Sequence, residues 1–494
     1  MDKNLLEKSA IELKKLIIKK EISPVELTKL SLERIQETNS KTNTFITIME
    51  DKALDDAKNV EKKILKGEKL GLMAGIPTSI KDMEPVKDVR ITKGSLALKN
   101  VIADHDQICV ERIKKEDGII LGKTNCPEFG HSGTGENKLG DETRNPWNLE
   151  YTSGASSGGS AVSVATSVNT VAQASDGGGS VRIPASFCGL FGMIATTGRI
   201  PRRNTNPLNW LPINYSRIGP ISWYVEDSAL LLQVMSGPHP MAEALTIENH
   251  PEDYLKNINI SSLKNLRIGW STDLGSRIID EEVKDITNKK IKFFEDQGAN
   301  IEELKFDMNL EELEKPLHEH VMFALSYSSN KEYLEQNFDD LMPHVKNTIL
   351  RGKEVTGEQY IRGVSKLNEF RTYIDTVFKK FDFVITPTMA IPPHKCDEKP
   401  WIKDGKIINK KISSFEKYES NTYDYSSWNY ILLGMTAPFN WSGNPAATLP
   451  CGFSKLGLPV GLQIAAPKFK ERELLQICKL FEDNNPWHKN RPNI

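Results

Sequence analysis

The sequence has few cysteines and no close pair of them. Cys109, Cys126, Cys188, Cys396, Cys451 and Cys478 are scattered, with no CxxC. That excludes a disulfide frame or a paired-cysteine zinc site and reads as reduced thiols. Charge of either sign is also not in excess. The 64 basic and 66 acidic residues leave a formal net charge of -2. A near-neutral chain has no electrostatic footprint for nucleic acid or an anionic membrane. No apolar run approaches the 18 or so residues of a membrane helix. The first twenty residues, MDKNLLEKSAIELKKLIIKK, are charged throughout and lack the apolar core of a signal peptide. The expectation is a cytoplasmic protein with neither a membrane nor a nucleic acid among its partners.

Motifs for several common chemistries are missing as well. GIILGKT at 118–124 approaches a phosphate loop, but that loop needs four residues between its glycines and here there are three. Those three are strand formers, unable to offer free N–H groups to phosphate. No GxGxxG follows a strand. HEH at 318–320 is not HExxH, and on a helix His318 and His320 point about 200° apart, too far to share an ion. A solvated helix surface is the expectation there. GASSG at 154–158 matches GxSxG around Ser156. A nucleophile elbow needs an apolar strand just before it and a later acid and histidine. The preceding NPWNLEYTS makes a poor strand, and no later histidine sits in a recognisable strand-end loop. Nothing in the sequence calls for a metal or an organic cofactor.

The texture along the chain is that of an α/β protein. Residues 1–70 read as an N-terminal helical region. Ser23-Pro24-Val25-Glu26 is a capping box with proline at the first helical position. From Gly71 onward, glycine, proline and β-branched runs take over. GIILGKT reads as a buried strand. SGGSAVSVATSVNTVAQAS (157–175) reads as a turn, a small-residue helix and a strand. A charged, helix-rich middle follows, holding strand-like LRIGWST (266–272) and FDFVITPTM (381–389) and a helix at 281–299. Glycine–proline texture returns at APFNWSGNPAATLPCG (437–452), then a strand at 458–467 and a last helix at 470–483. The pattern implies one α/β core over 71–494, completed by the C-terminal segment, with a helical insertion at about 275–435.

What is present is a serine in an unusual setting. SDGGGSVRIPASFCG (175–189) carries three glycines straight into Ser180, yet no histidine lies within forty residues on either side. A Ser/Gly-rich stretch is usually only a loop. Here two such stretches, around Ser156 and Ser180, flank one small-residue helix. Lys81, in GIPTSIKD, stands upstream after a short apolar stretch. Beside Asp82 it reads as half of a surface ion pair. A buried, neutral lysine can instead activate a serine.

Lys81, Ser156 and Ser180 in this order and spacing resemble the amidase signature family. GKTNCPEFG, NPWN, FVITPT and SGNPAATLP resemble the framework of that family, so the likeness runs from about residue 20 to the end. TRNPWNL, GSVRIPAS and PWHKNRP look most like bacterial amidases of the 6-aminohexanoate cyclic-dimer hydrolase type. The resemblance implies a large mixed β-sheet covered by helices on both sides and an amide hydrolase acting on a small molecule, with room for a homodimer. It implies Ser180 as nucleophile, Ser156 as proton relay and Lys81 as general base. Backbone N–H groups of Gly177, Gly178, Gly179 and Ser180 would form the oxyanion hole, while Asp176 and Arg182 brace the turn. The relay serine of the family follows a cis peptide bond, here Ala155–Ser156, where alanine replaces the usual glycine. Ile194 and Ala195 replace a usual lysine–proline pair. An alternative with the same core is the glutamine-hydrolysing subunit of a tRNA-dependent amidotransferase.

Overall fold

Short, wholly apolar or small-residue runs separated by turns can satisfy their backbone only inside a sheet. The computed structural model describes residues 3–203, 215–418 and 430–494 and bears this out. In chain order the strands begin with β1 (Phe45–Ile48), β2 (Pro77–Lys81), β3 (Ile119–Thr124), the short pair β4 (Arg144–Asn145) and β5 (Asn148–Thr152), β6 (Val171–Asp176), β7 (Phe191–Ile194) and β8 (Arg217–Ser222). They continue with β9 (Arg267–Trp270), β10 (Asn300–Glu303), β11 (Phe383–Pro387), the hairpin β12 (Glu398–Lys403) and β13 (Lys406–Lys411), β14 (Ala446–Phe453) and β15 (Pro459–Ala465).

Eleven of these form one sheet in the order β1-β3-β2-β6-β8-β7-β14-β15-β11-β9-β10. The sheet is mixed. β3, β2 and β6 run parallel, as do β11, β9 and β10, and the strands between are antiparallel. The buried strands β2, β3 and β6 carry no exposed residue, which is why their sequences show no in–out alternation. The helix at Gly158–Ala165 is built of glycine, serine, alanine and valine and is buried along its whole length.

Two elements differ from the sequence reading. Residues 1–70 are not helices alone. The four-residue run FITI is β1, added to the sheet edge against β3, and a run that short has no periodicity to distinguish it from a loop. AATLPCGF, read as glycine–proline texture, is the central strand β14 between β7 and β15. Its Pro450 and Gly452 lie beyond Thr448, the last residue paired with β7, where the register against β15 shifts. The missing proline N–H therefore interrupts no bond to β7. Ile194 and Ala195 are both buried, with Ile194 registered against Ala446, so this departure from the family pattern is accommodated at the end of β7.

The helical middle runs through Glu281–Asp296, Leu310–Lys315, a π-helical stretch at Pro316–Met322, Phe323–Gln336, Pro343–Lys353 and Gly357–Lys380. Residues 419–429 of the expected insertion lie outside the described residues. A separate apolar cluster of Leu98, Phe129, Leu341, Met342, Val345 and Ile349 fastens this layer to the loops after β2 and β3. Glu128 adds a polar tie: one carboxylate oxygen accepts from the Ser95 hydroxyl (2.5 Å) and the other from the Met342 N–H (2.6 Å).

At Gly159 the helix after Ser156 meets the β3 exit with no room for a side chain. A Cβ there would lie 2.5 Å from Asn125 N and 2.6 Å from Thr44 O. Both atoms are backbone, and they hydrogen-bond each other at 2.8 Å. Gly159→Ala is expected to cost about 1–3 kcal/mol, as overpacking does, read as a lower urea midpoint at unchanged slope.

Candidate active site

The site begins at the C-terminal end of β2. Lys81 is 1 % exposed, and its backbone N–H donates to the Gln173 side-chain oxygen at 2.9 Å. Its Nζ lies 2.7 Å from Ser156 Oγ and 3.3 Å from the Ser175 carbonyl oxygen. The surface ion pair with Asp82 is not formed. Asp82 is buried and bonded instead to Lys123 Nζ (2.8 Å) and to Thr92 through both its N–H and its hydroxyl. Lys123 is the lysine of GIILGKT, so the phosphate-loop look-alike supplies a structural counter-ion. Burial pushes the Lys81 amine down to about 8, against the opposing charges of nearby acidic groups.

Ser156 follows a cis peptide bond from Ala155, with the Ala155 N–H donating to the Gly133 carbonyl at 3.0 Å. The next residue ties the two serine loops together. Ser157 N–H donates to the Ser180 carbonyl at 3.2 Å, and its hydroxyl donates to the Ser175 carbonyl at 2.9 Å. β5 lies before Ser156 but pairs with β4 and, through Tyr151, bridges Lys395, all outside the main sheet, so this is no nucleophile elbow.

The Ser180 turn is built around Asp176, the last residue of β6. Its carboxylate accepts from the N–H groups of Gly179 (2.6 Å) and Val181 (3.1 Å) and from Arg182 Nε (3.1 Å). Burial would raise this carboxyl, but the Arg182 charge and the hydrogen bonds hold it at about 2. Arg182 reaches the Thr436 carbonyl (2.9 Å), Gln463 Oε1 (2.7 Å) and Asn440 Oδ1 (2.5 Å). Asn440 Nδ2 donates back to the Asp176 carboxylate at 2.8 Å. Gly179 has φ 144°, and a Cβ there would lie 2.2 Å from Thr436 Oγ1. Only glycine fits. The expected oxyanion set is corrected at this residue. The Gly179 N–H is spent on Asp176, while Gly177, Gly178 and Ser180 face the cavity.

That cavity has a volume of about 240 Å³. It is lined by Lys81, Ser156, Ser180, Gly177 and Gly178 together with Phe129 to Ser132, His318, Met322, Phe323, Leu433 and Trp441. The structure thus brings Lys81, Ser156 and Ser180 to one space and leaves Asp176 and Arg182 behind the turn. His318 corrects the reading of HEH as a solvated surface. It sits on the π-helical turn, edge-on to Trp441 with ring centroids 6.2 Å apart, and burial pushes its imidazole down to about 4. The sequence reading did not find Thr436, Asn440, Gln173 or Gln463. Gln463 carried a signal, a lone amide in the otherwise apolar buried strand β15. Among the described residues, no group of three His, Cys, Asp or Glu side chains is placed to hold a metal ion. No helix among them is long and apolar enough to cross a membrane.

The Amidase family model matches residues 26–475, and the chain belongs to that family. It is an amide-hydrolysing enzyme of the amidase signature class. A glutamyl-tRNA(Gln) amidotransferase subunit from Clostridium botulinum (strain Alaska E43 / Type E3) is 31% identical over 516 aligned residues, covering 98% of this chain and 99% of that protein. A bacterial aryl acylamidase of the amidase signature enzymes superposes with a TM-score of 0.87 at 26% identity, covering 98% of this chain and 97% of the other. A substrate complex of 6-aminohexanoate cyclic dimer hydrolase superposes with a TM-score of 0.84 at 27% identity, covering 99% of each chain.

Replacing Arg182 by methionine would leave the Asp176 charge buried without its partner. The expected loss is about 3–5 kcal/mol of stability, the usual cost of breaking a buried pair from one side. Urea unfolding of Arg182→Met against the parent protein measures it.

Proposed function

We propose that the chain cleaves a carboxamide through Ser180, Ser156 and Lys81. The 2.7 Å contact between Lys81 Nζ and Ser156 Oγ, in a setting that lowers the amine pKa to about 8, is the observation that supports this most. Neutral Lys81 accepts the Ser156 proton while Ser156 accepts the Ser180 proton. Ser180 Oγ then attacks the carbonyl carbon. The N–H groups of Gly177, Gly178 and Ser180 stabilise the oxyanion, each such donor contributing on the order of 10²–10³ in rate. The proton returns through Ser156 to the leaving amine, which departs as the acyl-enzyme forms. Water, deprotonated by the same relay, releases the acid. Asp176 and Arg182 position the turn and take no part in proton transfer. The helical middle shapes the cleft.

For the substrate, the comparisons favour the glutamine-hydrolysing amidotransferase subunit over a 6-aminohexanoate amidase. The supporting observation is 31% identity over nearly the full length of both chains. Under that reading the chain works within a complex and passes ammonia onward. The expectation of no nucleic-acid partner then gives way, because the name of the relative carries glutamyl-tRNA(Gln). Likeness to the cyclic dimer hydrolase supports the second reading, a free-standing small-molecule amidase. Both readings suit the cytoplasm.

Two outcomes test the mechanism. Lys81→Met is expected to lose about 10²–10⁴ in kcat, the range for a positioned general base, with an unchanged circular dichroism spectrum. In the parent enzyme the active form is the deprotonated amine, so kcat/KM should rise with pH through about 8 and level above it. A rate falling from pH 6 to 9 would remove lysine as the base. For the substrate, mass-spectrometric assay of the isolated chain against glutamine and 6-aminohexanoate cyclic dimer separates the two readings.

A further inference from the structure

A second chamber, of about 550 Å³, abuts the catalytic cavity and shares Met83, Ser175 and Ser216 with it. Nothing in the proton relay uses it. Its charged lining is three cations, Lys93, Arg202 and Arg203, against the two carboxylates Glu84 and Asp104, with His105 beside them. Most of these charges are already matched. Asp104 holds His105 at 2.5 Å. Arg203 pairs with Glu111 at 3.1 Å, outside the chamber. Glu84 pairs with Arg202 at 3.0 Å and accepts from Gln107 Nε2 at 3.0 Å.

Lys93 is the exception. Among the described residues its ammonium has neither an ion pair nor a hydrogen bond. Asp82, which acts on it from a distance, is committed to Lys123 and Thr92. Arg202 Nε is likewise a buried donor with no partner among the described residues. Burial pushes the Lys93 amine down from its ordinary value, although Glu84 and Asp82 pull the other way. A half-buried cation without a counter-ion is costly to keep. Its position is nevertheless built in. Lys93 has a left-handed φ of 49°, its carbonyl accepts from the Phe129 N–H at 2.8 Å, and Thr92 before it is pinned to Asp82. A non-glycine residue held in this region is disfavoured and persists where its surroundings impose it. The same framework that seats Lys81 therefore seats Lys93.

We infer that this chamber receives a carboxylate carried by the amide substrate, with Lys93 as the binding cation and Arg202 as a second donor. The inference rests on the serine–lysine reading above and refines it. Lysine acts here as a point charge on a flexible stem, suited to a carboxylate that arrives at more than one distance from the scissile amide. Linear amides with a free carboxylate, glutamine and open-chain ω-amino-acid amides among them, fill the chamber. A cyclic amide has no free carboxylate and leaves Lys93 unpaired.

The test compares kcat/KM for the monoamides of succinic, glutaric and adipic acid with their chain-matched neutral alkanamides. The parent enzyme should prefer the carboxylate member of the best-fitting pair by about 10–100-fold, the range for a hydrogen bond to a charged group. Lys93→Met should collapse that ratio and Lys93→Arg should largely restore it. If the methionine variant fails to fold, Lys93→Gln gives the same reading. Calorimetric titration with the corresponding dicarboxylates should show Kd weakened by a similar factor in the uncharged variant. Equal rates on both members of every pair, or a preference that survives loss of the charge, would overturn the inference. Should the parent enzyme cleave no amide at all, the serine–lysine reading fails on its own. Dicarboxylate titration then still decides the chamber, because unaltered binding in Lys93→Met refutes it.

Discussion

An amine can serve as a base near neutral pH only where water is kept from it and no carboxylate holds its proton. Lys81 meets both conditions through the arrangement of its neighbours. It is 1 % exposed, and the adjacent acid in sequence is turned to a different lysine, Lys123, at 2.8 Å. Had Asp82 paired with Lys81, the amine would have stayed charged through the physiological range. The Asp82–Lys123 pair, itself wholly buried, therefore keeps Asp82 from Lys81 and ties the end of β2 to β3.

The second requirement is a turn stiff enough to hold Ser180 and the backbone N–H groups before it. Its stiffness comes from one carboxylate used several times. Asp176 accepts from two turn amides and from Arg182, and Arg182 passes the tie to Thr436, Asn440 and Gln463. The C-terminal segment is thus part of the support of the Ser180 turn. Gln463 stands on β15 in the middle of the sheet, while Thr436 caps and Asn440 belongs to the short helix Ala437–Ser442 that precedes β14. The helical middle contributes to the cavity lining, where a π-helical turn supplies His318 and Met322. Single π-turns of this kind are frequent at functional sites.

Much of this was legible in the residues. The capping box at Ser23 to Glu26, the strands at 119–124, 171–176, 383–387 and 459–465, and the helix at 158–165 appear where the patterning put them. Lys81, Ser156 and Ser180, which line one cavity, could be picked out from their motifs. Less was legible where an element was short or its composition misled. β1 is four residues long. β14 carries a proline and a glycine that belong to a register shift. HEH reads as surface, because a pattern of polar residues cannot say that a helix will be laid over a cleft.

The sequence alone determined which side chains were available for acyl transfer and which local elements would carry them, since hydrophobic periodicity, caps and glycine turns act over a few residues. The tertiary structure decided which of two lysines Asp82 would neutralise, and so which amine stayed free. It also decided that the Gly179 N–H would serve Asp176 instead of the cavity, and that Lys93 would line the adjoining chamber with no ion pair among the described residues. Contacts such as Arg182 with Thr436 and Gln463 join residues 254 and 281 positions apart. At that separation no local pattern records the pairing. Only the packing of the whole sheet sets it.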